Sequence, residues 1–184
     1  MTEELMVGTS GWNHSQWVGD YYTDDLPDDW RFAYYSNDYR SVLVPADHIS
    51  SDAAVAEWAE DCDETFRFVV EIPKACLLNA DETLLQSFLQ SIAALHSHLA
   101  GFYLSLDEIN NNEVALLQTR VGLLQQHGPL CIDCGDNAMG SDQLNQLVAD
   151  HNIGLCWRPA SSKLPAEGGA LMLMLSDEDG AKAQ

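Results

Sequence analysis

Short unbroken apolar runs alternate along this chain with longer stretches whose apolar residues recur at helical spacing. The runs are Leu5-Met6-Val7, Ser41 to Ala46, Phe66 to Pro73, Phe102 to Leu106, Pro129 to Cys134, Ile153 to Arg158 and Ala170 to Leu175. Runs this short, bounded by Gly, Pro or charged residues, predict strands buried on both faces. Between them, Leu26-Pro27-Asp28-Asp29 predicts a helix start, with proline in the first turn and acids at the positive end, followed by Trp30, Ala33, Tyr34 and Asn37 on one face. Ser50-Ser51-Asp52 predicts a cap for a helix turning Val55, Trp58 and Ala59 inward. Asp81 caps a long helix carrying Leu84, Leu85, Phe88, Leu89, Ile92 and Leu95, which Gly101 would stop. The next helix buries Val114, Leu117, Val121 and Leu124 and ends at Gly128-Pro129, and Ser141 caps one showing Leu144, Leu147 and Val148. The connector from Pro159 to Gly169 has two prolines and no helical period, so it is expected to be a loop.

Buried strands alternating with amphipathic helices mean an α/β fold with a parallel sheet covered by helices. A doubly wound open sheet and a β/α barrel share this local grammar. Gly8-Thr9-Ser10-Gly11 lacks the Gly-x-Gly-x-x-Gly spacing of a dinucleotide loop, which removes the main reason to choose the former. The 184 residues suit a single domain, expected over 1–176 with a flexible acidic tail at 177–184.

Charge narrows the partners. Twenty-nine Asp and Glu against eight Lys and Arg give a net charge of −21, and the few cations are scattered, so nucleic acid is excluded as a partner. The acidity reads as a solubilising surface. No run is long enough for a membrane span, and Met1-Thr2-Glu3-Glu4 has acids where a signal peptide needs cations, so no membrane association and a cytoplasmic location are expected. Five cysteines fit reduced core thiols. Cys131-Ile132-Asp133-Cys134 has redox or zinc-ligand spacing, but residues three apart on a strand face opposite ways and cannot grip one ion unless the strand ends between them, so buried structural thiols are expected. No cofactor and no resident metal are expected.

The chemistry-bearing stretch is the loop after the first strand. Ser10, Trp12, His14, Trp17 and Tyr22 combine hydroxyls, an imidazole and aromatic faces with glycines that allow close backbone approach. These residues either line a pocket or plug one end of a core. With them, His48, Glu71 and Asp133 stand at or just beyond strand ends, and the eight together are the candidate ligand pocket.

Gly8-Thr9-Ser10-Gly11-Trp12, Trp17-Val18-Gly19, Tyr21-Tyr22 and Leu26-Pro27, then Phe66-Arg67-Phe68 with Pro73, resemble the YecE-like proteins, domain of unknown function number 72. The resemblance spans about the whole chain, is most specific in the first thirty residues, and implies a TIM-type β/α barrel with no established activity, its functional face formed by the loops after the strands. The departures are as informative. Val42-Leu43-Val44-Pro45-Ala46 stands where the family usually has Val-Glu-Ile-Asn-Ser, Glu71 replaces a lysine late in the third strand, and Asp133-Cys134-Gly135-Asp136 replaces Glu-Phe-Arg-His. Met174 and Ser176 replace an arginine and a histidine, and the eighth strand and last helices have no counterpart. The resemblance therefore implies a shortened, divergent member: an incomplete or distorted TIM-type barrel of about seven parallel strands that has lost fixed cations from its rim.

Three functional readings follow. The first is a catalytically decayed or non-catalytic barrel that binds a small molecule or a protein through the loop after strand one, more a binder than an enzyme. The second is a metal-assisted hydrolase or lyase, with His14, Asp47, His48, Asp107, Asp133 and Asp136 gathered on one rim around a divalent ion. The third, Ser or Cys nucleophilic catalysis, has little behind it: Ser10 is not in a Gly-x-Ser-x-Gly elbow and no cysteine has an evident histidine partner. Seven strands would either close a smaller barrel or leave a gap between the first and last, and a homodimer is one way to cover such a gap.

Overall fold

Gly8 is the tightest point of the sheet. A Cβ there would stand 2.0 Å from the carbonyl oxygen of Ser41, so only glycine lets the first strand lie this close to the second. The computed structural model describes residues 5–105, 113–133, 155–159 and 170–175. The strands are β1 (Leu5–Ser10), β2 (Ser41–Val44), β3 (Arg67–Glu71), β4 (Leu99–Ser105), β5 (Leu130–Asp133), β6 (Leu155–Pro159) and β7 (Ala170–Leu175). Among them run α1 (Arg31–Asp38), α2 (Asp52–Asp61), α3 (Lys74–Leu78), α4 (Thr83–Ser91) and α5 (Val114–Leu124).

All pairings are parallel and the sheet order is β5-β4-β3-β2-β1-β7-β6. That order runs round a cycle. A doubly wound sheet reverses direction at its switch point, whereas here β1 pairs with β2 on one side and β7 on the other, from Leu5 opposite Leu171 to Thr9 opposite Leu175. The first and last strands therefore leave no gap between them. Among the described residues the unpaired edges belong to β5 and β6, which approach within 8 Å between Cα atoms without a ladder.

The helix-facing side of the sheet holds the main core. Val42 and Val44, Phe68 and Val70, Phe102 and Leu104, and Leu130 pack against Phe32, Val55, Leu85, Leu117, Val121 and Leu124 from the helices. In β4 the pairing with β3 steps from Phe68–Leu99 to Val69–Gly101, so Ala100 is an extra residue. This bulge turns Leu99 and Phe102 to the same side, where residues three apart would otherwise face opposite ways.

Several expectations change. Trp30 is 64% exposed and Tyr34 and Asn37 are exposed, so the face they share points to solvent. The buried face of α1 is Phe32, Tyr35 and Ser36, because the Tyr35 hydroxyl is drawn to β1 and β2. It accepts from the backbone N–H of Thr9 at 3.0 Å and donates to the Ser41 carbonyl at 2.9 Å. Gly101 lies inside β4 and ends no helix; α4 stops at Ser91 and a 3-10 turn, Ala93–Leu95, follows. The short α3 was not anticipated. The caps hold: Ser51 Oγ accepts from Ala54 N–H at 3.2 Å and Asp81 accepts from Thr83 N–H at 2.9 Å. The Ser141 helix, the 159–169 connector beyond its first residue and the tail lie outside the described residues.

One buried cation was not legible at all. Arg120 on α5 is fully buried, donates to the Asn79 and Ala80 carbonyls at 2.8 and 3.1 Å, and pairs with Glu82 at 3.1 Å. It ties α5 to the end of α3, so both helices after the strand ends of β3 and β4 are held as one layer.

Candidate functional site

Beyond Ser10 the chain turns sharply at Gly11, whose φ of +70° is the left-handed region that suits glycine. Its N–H is held by the Leu43 carbonyl at 2.7 Å. Two imidazoles flank it: a Cβ on Gly11 would meet His48 Cε1 at 2.8 Å and His14 Nε2 at 3.6 Å. His14 bonds back to the Ser10 carbonyl at 2.8 Å. Glu71 accepts the Ala46 N–H at 3.2 Å, in the 3-10 turn Ala46–His48 that carries His48. Ser10, His14 and His48 thus meet around one glycine, and Glu71, from a third strand end, holds the turn that carries His48.

The aromatic candidates divide. Trp17 and Tyr22 are fully buried and form a plug with Tyr21 and Tyr35, Trp17 lying 5.9 Å from Tyr22 and 6.5 Å from Tyr35 between ring centroids. The Tyr22 hydroxyl donates to the Trp12 carbonyl at 2.6 Å, which fixes the loop from behind. Burial pushes the Tyr22 and Tyr35 hydroxyls well above their ordinary pKa, as it does Tyr21 and Tyr39, so all four stay neutral donors.

Trp12 is also buried, at 5% exposed, but it packs away from the plug, against the helices. Its ring centroid is 4.8 Å from Phe32 on α1, 4.8 Å from Trp58 on α2 and 6.1 Å from His48, the last two edge-on. Beside it opens a cleft of about 410 Å³, lined by Trp12, Phe32, Trp58 and His48 with Asp28, Asp29, Glu57 and Asp61. Two lining residues are held by Arg31, which pairs with Asp28 at 2.7 Å, bonds to Asn13 and lies over the Tyr22 ring at 5.5 Å. No ion pair among the described residues engages Asp29, Glu57 or Asp61.

The sequence reading missed Trp58, Glu57 and Asp61 as part of the site. Ala54, Glu57, Trp58 and Asp61 are spaced as one stripe on α2, a signal present in the sequence, but its facing partner Trp12 is brought there only by the order of the strands. Asp133 closes β5 opposite Ser105; its side chain, and Asp107 and Asp136, lie outside the described residues. Among the described residues no three of His, Cys, Asp and Glu are placed to share a metal ion.

A thiol–imidazole pair does exist, at the other edge of the sheet. Cys62 Sγ is 3.7 Å from His98 Nδ1, which also lies 3.3 Å from the Phe66 carbonyl. Burial and the neighbouring Asp63 push the Cys62 thiol up to about 11, the reverse of what a nucleophile needs. No helix among the described residues is long and apolar enough to cross a membrane.

A family model described as a protein of unknown function, DUF72, matches residues 6–170. Among solved structures, a DUF72 family protein from Enterococcus faecalis V583 superposes with a TM-score of 0.72 at 15% identity, covering 98% of this chain and 91% of that one. A second structure of that protein gives 0.68 at 14% identity, covering 98% and 94%. A DUF72 family protein from Thermotoga maritima MSB8 gives 0.66 at 17% identity, covering 88% of this chain and 66% of that one. At these identities the likeness is one of fold. Among curated proteins none matches.

Proposed function

Since the chain belongs to the DUF72 family of proteins of unknown function, we propose that it is a non-catalytic TIM-type barrel of the YecE-like kind that binds a small organic cation beside the loop after β1. The observation that carries this is the cleft beside the packed rings of Trp12 and Trp58, aromatic on one wall and acidic at its mouth. Aromatic faces attract ammonium and guanidinium groups through the ring quadrupole, and uncommitted carboxylates beside them add charge that a neutral or anionic ligand cannot use. A volume of about 410 Å³ suits an amine with a modest apolar body. The His14, His48 and Glu71 group behind Trp12 holds the wall in place and performs no step.

Thermal unfolding in the presence of polyamines, arginine-like guanidines and quaternary ammonium ions tests this, with magnesium and potassium as controls for screening of the net charge. Organic cations are expected to raise the melting temperature saturably through mass action. Trp12→Ala should remove the rise while Trp30→Ala, outside the cleft, keeps it. A rise no larger than inorganic ions give would end the proposal.

A further inference from the structure

A second cavity lies at the opposite edge of the sheet, where the strands begin. It measures about 600 Å³ and sits between α4 and the turn after α5, with Leu89, Ile92, Ala93, Leu99 and Phe102 as its apolar lining and Gln86, Gln90, His96 and His127 as its polar one. The floor depends on the β4 bulge, since without the extra Ala100 the strand would turn Leu99 and Phe102 to opposite sides. In a chain with 29 acidic residues no carboxylate among the described residues lines this space, in contrast to the four that line the cleft at the other edge. Its polar lining consists of two amides and two imidazoles, and no side-chain hydrogen bond among the described residues engages any of the four.

We propose that this cavity is a binding site for a small apolar carboxylic acid, a medium-chain fatty acid or an aryl-substituted one. Its hydrocarbon part lies on Leu89, Ile92, Leu99 and Phe102, and its carboxylate accepts hydrogen bonds from His96 and His127 with the Gln86 and Gln90 amides beside them. The absence of carboxylates among the described lining residues is the deciding feature. An apolar amine would meet no counter-charge here, and a neutral hydrocarbon would leave four donors unused, whereas a carboxylate uses them and meets no like charge at the site. The site is independent of the aromatic cleft.

Titration calorimetry of the full chain with decanoate, with decanol and with decylamine, each below its micellar concentration, tests this. Decanoate is expected to bind about tenfold more tightly than decanol, the margin charge-assisted hydrogen bonds supply, and decylamine more weakly than either. The double variant His96→Ala, His127→Ala changes two exposed side chains and should bring decanoate to the affinity of decanol. Ala93→Phe, which fills the cavity, should abolish both, and its circular dichroism reports whether it folds. Three results would overturn the proposal: no heat with either ligand, decanoate binding that survives the double histidine variant unchanged, or a concentration-dependent dimer in sedimentation that Ala93→Phe dissolves, since a second copy would then be the occupant.

Discussion

His48 leans on Gly11, its Cε1 only 2.8 Å from the place a Cβ on that glycine would take. The imidazole needs the missing side chain, and the backbone at φ +70° tolerates no other residue cheaply. Gly11→Ala is expected to lower stability by about 1–2 kcal/mol from the left-handed backbone alone, and to displace His48 from the edge of Trp12. Urea unfolding measures the first effect and tryptophan fluorescence the second. A variant as stable as the parent, with unchanged fluorescence, would mean that the ring swings away freely.

The Tyr35 hydroxyl joins three elements, accepting from Thr9 N–H and from Thr9 Oγ1, both at 3.0 Å, and donating to the Ser41 carbonyl at 2.9 Å. Tyr35→Phe keeps the ring in place and strands those partners in a buried site. The expected cost is about 1–3 kcal/mol, the penalty for unpaired buried polar groups, read as a lower urea midpoint with an unchanged slope. A loss within error would show that water reaches Thr9 and replaces the hydroxyl.

The strands β1 to β5 were legible because buried parallel strands announce themselves as apolar runs, and the caps at Ser51 and Asp81 were legible because they act over two or three residues. What escaped was set at long range. Tyr35 is buried and Trp30 exposed because a hydroxyl, not an apolar face, chooses the inward side of α1. Gly101 looked like a helix stop because nothing local distinguishes that from the neighbour of a bulge. The approach of Ser10, His14 and His48 followed from their places at strand ends, whereas the packing of Trp12 on Trp58 needed the order of the strands.

Alkali should unfold this protein through its tyrosines. Desolvation, and for Tyr21 also the Asp38 carboxylate that accepts its hydroxyl at 3.1 Å, raise the folded pKa of Tyr21, Tyr22, Tyr35 and Tyr39 above the ordinary 10.0. Above that value the unfolded chain gives up protons that the folded chain keeps, so stability is level below it and falls as pH rises further. Denaturant midpoints measured at increasing pH should stay level and then drop, with tyrosinate absorbance appearing together with unfolding. Tyrosinate appearing while the fold is intact would contradict the burial of the plug.

Cys62 and His98 are placed as a nucleophile and base would be, yet the environment argues for an idle thiol. Partial burial disfavours the thiolate and Asp63 and Asp61 disfavour it further, while the backbone N–H of Cys62 and the Arg67 guanidinium only partly offset them, leaving the pKa at about 11. In an activated pair the imidazolium stabilises the thiolate and alkylation becomes independent of pH near neutrality. Here the rate of iodoacetamide labelling at Cys62, followed by mass spectrometry of the peptide, is expected to climb about tenfold per pH unit through the neutral range, because each unit multiplies the small thiolate fraction by that factor. Cys76 and Cys131 are buried and should label more slowly still. A rate at Cys62 that is flat near neutral pH, and that falls when His98 is changed to Gln, would mean that the pair is ionised and would reopen thiol chemistry at this edge of the sheet.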